Sequence, residues 1–272
     1  MRILFIGDIV GRAGRTVLRQ ELPALRKGWA LDCVIVNGEN AAGGFGINEQ
    51  ILHDFFSNGV DCVTLGNHAF DQRETLNFID DQPRLIRPLN YPRGTPGRGA
   101  SLIETAGGAH VLVINALGRL FMDPLDDPFA LVEAEISACP LGEACDATVV
   151  DFHAETTSEK QAFGHFVDGR VSLVVGSHTH VPTADHQILP QGTGYMTDAG
   201  MTGDYDSVIG MEKTEPVRRF TRKVPGARLE PAAGPATLCG VAVETNARGL
   251  AAKIAPVRIG GRLSPARPDF WG

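Results

Sequence analysis

A chain of 272 residues with 43% hydrophobic content and no low-complexity tract is long enough to bury a full core. Its net charge of −7 argues against broad nucleic-acid binding, which needs a basic face, yet leaves room for a small anionic substrate drawn in by bound cations. No apolar run reaches the length of a membrane span, and the N-terminal run MRILFIGD is too short for a signal peptide. These features predict a single domain over 1–272, in the cytoplasm and without a membrane partner. Five cysteines with no C-x-x-C spacing fit reduced thiols: Cys33 and Cys62 as small buried hydrophobes, Cys139 and Cys145 as a pair only in an oxidising compartment.

Residues 2–6 form a short apolar run that ends in Gly7-Asp8 and a glycine-spaced turn. Val17, Leu18, Leu22 and Leu25 recur at helical spacing and predict an amphipathic helix over 16–26. A second β-branched run, 33–36, ends in Asn37-Gly38-Glu39-Asn40. After the loop AAGGFG a helix is expected over 47–56, with Asn48 as N-cap. A third run, 62–65, ends in Gly66-Asn67-His68; a short helix over 75–80 and a proline- and glycine-rich loop over 83–99 follow. Residues 111–114 are a fourth strand. The stretch FMDPLDDPF at 121–129 is too rich in proline and aspartate for a regular element and is a candidate rim or lid loop, with a helix expected over 129–139. Residues 148–152 make a fifth strand ending in His153, 158–166 a helix, and 171–175 a sixth strand that runs into GSHTH. Strands alternating with helices imply βαβ units and a largely parallel sheet. Residues 238–244 and 251–259 then look like an antiparallel hairpin, part of a second sheet. The tail from Gly260 reads as loosely ordered at most, with Phe270 and Trp271 available to dock it.

Ligands of open α/β sheets sit beyond the carboxyl ends of the strands. Collected there are Asp8, Glu39 with Asn40, Asn67 with His68, His153, and His178 with His180. Two histidines one residue apart point to opposite sides of a helix, but at the frayed end of a strand they can turn toward one point. Oxygen donors mixed with imidazoles and free of sulfur suit iron, manganese or zinc. The count exceeds what one tetrahedral ion needs, so two ions are expected, bridged by the Glu39 carboxylate.

The order GD, acidic residue, GNH, lone histidine, GSHTH resembles the calcineurin-like metallophosphoesterases over most of the chain. Two positions depart from that family's usual pattern: its D-x-H is Asp8-Ile9-Val10 here, and its GDxxD is NGEN. GDIVG, NGEN, GNHAFD, DFHAE and GSHTH together, with YMTDAGMTG at 195–203, are similar to the YmdB-like branch. That resemblance implies a four-layer α/β/β/α sandwich of two facing mixed sheets flanked by helices. It also implies hydrolysis of 2′,3′-cyclic nucleotides to nucleoside 3′-phosphates by a hydroxide bridging two ions, most readily iron or manganese, with zinc as a further option. One ion is then assigned to Asp8, Glu39, Asn40 and His180, with Asn40 filling the place that Val10 cannot. The other falls to Glu39, Asn67, His153 and His178, and His68 becomes the general acid. The expected partner is a small phosphodiester, with no stable nucleic-acid complex and no organic cofactor; homo-oligomerisation stays open. A phosphomonoesterase of the same fold and a metal-binding regulatory protein with little turnover are the alternatives.

Singly, these residues have ordinary explanations: Asp8 or Asn67 as helix caps, NGEN as turn chemistry. His53 reads as a surface or packing residue, and His110, His165 and His186 as structural or solvent-facing. Asp71 is a candidate for orienting His68, and Asp198 either supports a ligating histidine or shapes a turn. The glycines of 7–15 match no nucleotide-binding fingerprint.

Overall fold

The computed structural model describes residues 1–224 and 226–271. In chain order the first half-fold runs β1 (Arg2–Ile6), α1 (Gly11–Gly28), β2 (Cys33–Asn37), α2 (Glu49–Ser57), β3 (Cys62–Thr64) and β4 (Leu85–Ile86). The second runs β5 (Ala100–Glu104), β6 (His110–Leu117), α3 (Pro128–Ala138), β7 (Ala147–His153), α4 (Thr157–Phe166), β8 (Leu173–Ser177), β9 (Gln187–Ile188) and β10 (Gly194–Met196). The chain then returns to the first through β11 (Gly203–Asp204), α5 (Thr214–Arg222), β12 (Ala236–Thr245) and β13 (Ala251–Ile259).

Two mixed sheets result. In one, β1, β2, β3 and β4 are parallel neighbours, and β12 pairs antiparallel with β1, β11 and β13. In the other the order is β5-β6-β7-β8-β10-β9, parallel from β6 to β10 and antiparallel at both edges. Side chains alternate strictly along the central strands. Ile3, Phe5, Cys33 and Ile35 of the first sheet share one buried cluster with Val111, Val113, Val149, Leu173 and Val175 of the second. Leu4, Ile6, Val34 and Val36 face the opposite way, onto Leu18, Leu22 and Leu25 of α1 and Leu52 and Phe55 of α2. Ile114, Val150, Phe152 and Val174 face α3 and α4, where Phe152 and Phe163 stack 4.2 Å apart. The period of two thus places sheet on sheet with helices outside both, the calcineurin-like α/β/β/α sandwich expected from the sequence.

Several elements differ from their expected form. Helix α1 begins at Gly11 rather than at 16, and its first turn packs against the backbone: a Cβ on Gly14 would stand 2.2 Å from Thr202 O. Glycines that read as a turn are there to permit close approach. The expected helix at 75–80 is two 3-10 turns, Arg73–Asn77 and Ile79–Asp81. The loop over 83–99 contains β4 and leads into β5, an antiparallel edge strand that the sequence did not announce. Asn48 does cap α2, accepting from Ile51 N at 2.9 Å. The tail is not loose: Trp271 is 4% exposed, lies 5.7 Å from the Trp29 ring and donates to Glu244, while Arg258 and Ala266 exchange backbone hydrogen bonds. All five cysteines are free. No helix among the described residues is long and apolar enough to cross a membrane.

Candidate metal centre

The carboxyl ends of β1, β2, β3, β7 and β8 meet at one edge of the sandwich; β7 carries a donor at its last residue, His153, and the others carry theirs just beyond. These donors fall into two groups. In one, His153 Nε2 lies 3.0 Å from Glu39 Oε1, 3.0 Å from Asn67 Oδ1 and 3.1 Å from His178 Nδ1. Atoms of Glu39, His153 and His178 all lie within 4.8 Å of one another. In the other, His180 Nε2 lies 3.3 Å from Asn40 Oδ1 and 3.8 Å from Asp8 Oδ1. Asp8 stands between the groups, its Oδ2 accepting from His178 N at 3.3 Å. Asp8, Glu39, Asn40, His153 and His180 are buried; Asn67, His68 and His178 are partly so.

The outward nitrogens fix what the inward ones present. His180 Nδ1 is 2.7 Å from Ile209 O, and a carbonyl can only accept, so Nδ1 carries the proton. His178 Nε2 stands 3.1 Å from Glu155 Oε2 and is likewise the donor. Ser177 Oγ gives its one proton to Asp151 at 2.5 Å and so accepts from His153 Nδ1 at 2.8 Å. In the neutral rings, lone pairs of all three therefore turn toward the Glu39 and Asp8 carboxylates and the Asn67 and Asn40 amide oxygens. Asp8 Oδ1 is buried without any hydrogen-bond partner. A set of acceptors facing one another with one oxygen orphaned is the arrangement that a cation completes, so the residues present fit bound metal.

Charge follows the same geometry. Burial alone would raise Glu39, but His153 and His68 outweigh it and hold the carboxyl at about 2. For His153, burial is outweighed by Glu39, with Asp8 and Asp151 adding to the pull, and the imidazole rises to about 9. Burial pushes Asp8 up to about 6 against the attraction of His180 and His153. Burial, and then positive charge on His153, takes His178 down to about 3. The carboxylates of Glu39, Asp8 and Asp151 thus favour positive charge on the His153 ring.

The backbone is shaped for this edge. His178 and His180 both have positive φ, 94° and 66°, a conformation that side chains rarely adopt and that clusters at ligand clamps. Gly66 is held close: a Cβ there would lie 2.4 Å from both Glu39 Oε2 and His153 Nε2. Behind the histidine loop, buried Lys160 donates to Ser177 O and Asp198 Oδ2, and Asp198 also accepts from Thr179 N, Thr179 Oγ1 and Gly200 N. Asp198 thus supports the loop that carries two ligand candidates. His68 donates its backbone N–H to Glu39 Oε2 at 2.9 Å, and its Nδ1 lies 2.8 Å from Asp71 Oδ2, leaving Nε2 free. The Val10 side chain lies against Gly203 and Gly210.

The site gathers all eight residues expected from the sequence. His53, His110, His165 and His186 are exposed and apart from it, and the 121–129 loop lines no part of the cavity beside it. Sequence reasoning missed Asp151 and Glu155, although they flank His153 in DFHAE. It also missed Ser177, which precedes His178 in GSHTH, and Lys160 and Ile209, for which the chain offered no signal.

The YmdB-like protein family matches residues 4–257. The chain belongs to that family. It is 48% identical over 249 residues to a Bacillus subtilis protein named 2′,3′-cyclic-nucleotide 2′-phosphodiesterase, with 90% of this chain and 92% of that one covered. A crystal structure of a hypothetical protein from Thermus thermophilus superposes with a TM-score of 0.89 at 42% identity, covering 96% of this chain and all of that one (100%). A structure titled as a novel phosphatase from Mycoplasma pneumoniae gives a TM-score of 0.88 at 34% identity, covering 98% and 95%. The two relatives with functional names are phosphoester hydrolases, the enzyme class expected from the motifs of this YmdB-like chain.

Proposed function

We propose that this YmdB-like protein is a dinuclear metal-dependent phosphodiesterase that opens 2′,3′-cyclic nucleotides to nucleoside 3′-phosphates. The observation that carries the reading is the convergence of seven donors in two groups with their lone pairs turned inward. Asp8, Glu39, Asn40 and His180 would hold one ion, and Glu39, Asn67, His153 and His178 the other, with Glu39 shared. The mixture of carboxylate, amide and imidazole donors suits iron or manganese, with zinc acceptable. When bound, such ions supply Lewis-acid activation of water and of the phosphoryl oxygens.

The remaining work falls to the chain. Hydrolysis cleaves the bond between phosphorus and the 2′ oxygen, places a water-derived hydroxyl on phosphorus and returns a proton to the departing oxygen. His68 is the proton donor: Asp71 holds Nδ1, so Nε2 is the atom available, and His68 lines the cavity beside the donors. The backbone bond from His68 to Glu39 ties the acid to the ligand loop. The binding partner is then a small phosphodiester.

The test is metal analysis of protein purified without added metal, paired with turnover of 2′,3′-cAMP with and without chelator. Two ions per chain and loss of activity on chelation or in His153→Ala are expected; activity indifferent to both overturns the reading. The phosphatase name of the Mycoplasma pneumoniae neighbour favours a phosphomonoesterase as second reading. Comparing p-nitrophenyl phosphate with bis-p-nitrophenyl phosphate separates the two.

A further inference from the structure

Next to the donor groups lies a cavity of ≈130 Å³. Five of its lining residues belong to the centre already described. The rest of the lining is apolar: Phe45, Ile209, Met211 and Leu229. Ligand sites for whole small molecules usually span about 300–1,000 Å³. A cavity of this size is too small for a whole nucleotide and has room for its phosphate end.

Ile209 is the exposed member of these four apolar residues. Its φ is 45°, a left-handed conformation that is rare for a β-branched side chain, whereas Gly210 beside it could adopt it freely. Its carbonyl accepts from His180 Nδ1, and its side chain remains 54% exposed although it is aliphatic. Met211 is buried and tied by a bridge to Pro231, so Ile209 stands on a fixed base. The Phe45 ring lies edge-on to His68, 5.1 Å away at 78°, which puts an aromatic surface beside the proton donor. Two side-chain amides nearby are already committed, Asn40 Nδ2 to Gly44 O and Gln72 Nε2 to Ala42 O and Phe45 O.

Resting on the phosphodiesterase reading, we infer that Phe45, Ile209, Met211 and Leu229 form the seat of the substrate's nucleobase and hold it without reading its identity. Apolar and aromatic surfaces hold any base by its face; none of these four side chains carries a donor or a charge that could distinguish base edges. The four 2′,3′-cyclic nucleotides should therefore have KM values within about tenfold of one another, since a base read by hydrogen bonds is discriminated by far more.

The decisive experiment compares wild type with Ile209→Gly and Leu229→Ser, all metal-loaded. Binding of adenosine 3′-monophosphate and of glycerol 2-phosphate is titrated calorimetrically, and KM is measured for 2′,3′-cAMP and for base-free glycerol 1,2-cyclic phosphate. Loss of the platform should weaken the nucleoside ligand about tenfold more than the base-free one. Ile209→Gly should do so without lowering the thermal midpoint, because glycine accepts the positive φ. Equal weakening of both ligands, unchanged nucleotide binding in both variants, or a preference for one base well beyond tenfold overturns the inference. Absence of turnover on both cyclic esters overturns the phosphodiesterase reading instead, and the calorimetric arm still decides this one.

Discussion

Lys160 Nζ lies 2.7 Å from Asp198 Oδ2, and both side chains are 1% exposed. This ion pair sits on the far side of the loop that presents His178 and His180, since Lys160 also donates to Ser177 O and Asp198 accepts from Thr179. Removing one partner of a buried pair leaves the other charge without compensation, which typically costs about 3–5 kcal/mol. Lys160→Met should destabilise the fold by that order in denaturant titration. Lys160→Met combined with Asp198→Asn should recover part of the loss, and equal loss in the single and double variants would speak against the ion pair as the cause.

The Asp151–Ser177–His153 chain leads to a second expectation. Asp151 is fully buried, and burial raises its carboxyl, while Ser177, Thr64 and Asn37 all donate to it. Its hold on the Ser177 proton is what keeps His153 Nδ1 a donor and Nε2 turned to the cage. Ser177→Ala removes the relay with little change in volume. Metal affinity should fall about 10–100-fold, the usual effect of losing such an outer partner. Competition against a chromophoric chelator measures it, and a normal thermal midpoint with normal affinity would refute the relay.

How much of this was legible in the sequence follows from distance along the chain. Asp8, Glu39, Asn67, His153 and His178 each close an apolar strand run, so local pattern and the parallel-sheet rule placed them together. Lys160 could not be foreseen as the link between Ser177 O and Asp198, because it comes from a helix whose pattern gives no hint of a buried ammonium. Ile209 was invisible because its role comes from a backbone carbonyl and a strained φ, neither of which the residue type encodes. Strand β5 escaped because Ala100–Glu104 alternates as an edge strand too briefly to stand out beside the proline-rich loop before it. Gly11 and Gly14 look like a turn because helix propensity disfavours glycine; close approach of Gly11 to Pro231 and of Gly14 to Thr202 overrides it.

If His153 is a metal ligand as proposed, its protonation should compete with metal. In the ion-free protein its imidazole is raised to about 9, chiefly by Glu39 against the opposing effect of burial, so at neutral pH the ring carries a proton that a metal must displace. Below that value each unit of pH lost should weaken apparent affinity about tenfold for one released proton. Above it this dependence should level off. Calorimetry at pH 7 in two buffers of different ionisation enthalpy reads the proton count directly. Zero release would mean that His153 is already neutral.

Gly66 offers a steric test of the proposal that two ions share the Glu39 carboxylate. A methyl group there would fall 2.4 Å from Glu39 Oε2 and from His153 Nε2, closer than real Cβ contacts come, and both neighbours are packed in place. Gly66→Ala should displace one or both side chains and lose metal from the group formed by Glu39, Asn67, His153 and His178. Metal analysis should then give fewer than two ions per chain, with turnover of 2′,3′-cAMP lost in parallel. Full occupancy with full turnover would show that this close approach has no bearing on the centre.

His68 separates ligation from proton transfer. Its backbone N–H binds Glu39 and its Nδ1 binds Asp71, while Nε2 is left at the cavity. His68→Ala keeps the backbone bond, so both ions should stay bound. Turnover of 2′,3′-cAMP should fall about 10²–10⁴-fold, the usual contribution of a positioned acid. A p-nitrophenolate leaving group needs little protonation, so the loss on bis-p-nitrophenyl phosphate should be far smaller. Asp71→Asn should reproduce a weaker form of the same pattern, because it loosens the ring without removing it. If His68→Ala sheds metal, or slows both substrates equally, the residue is a ligand or a scaffold and the acid must be sought elsewhere.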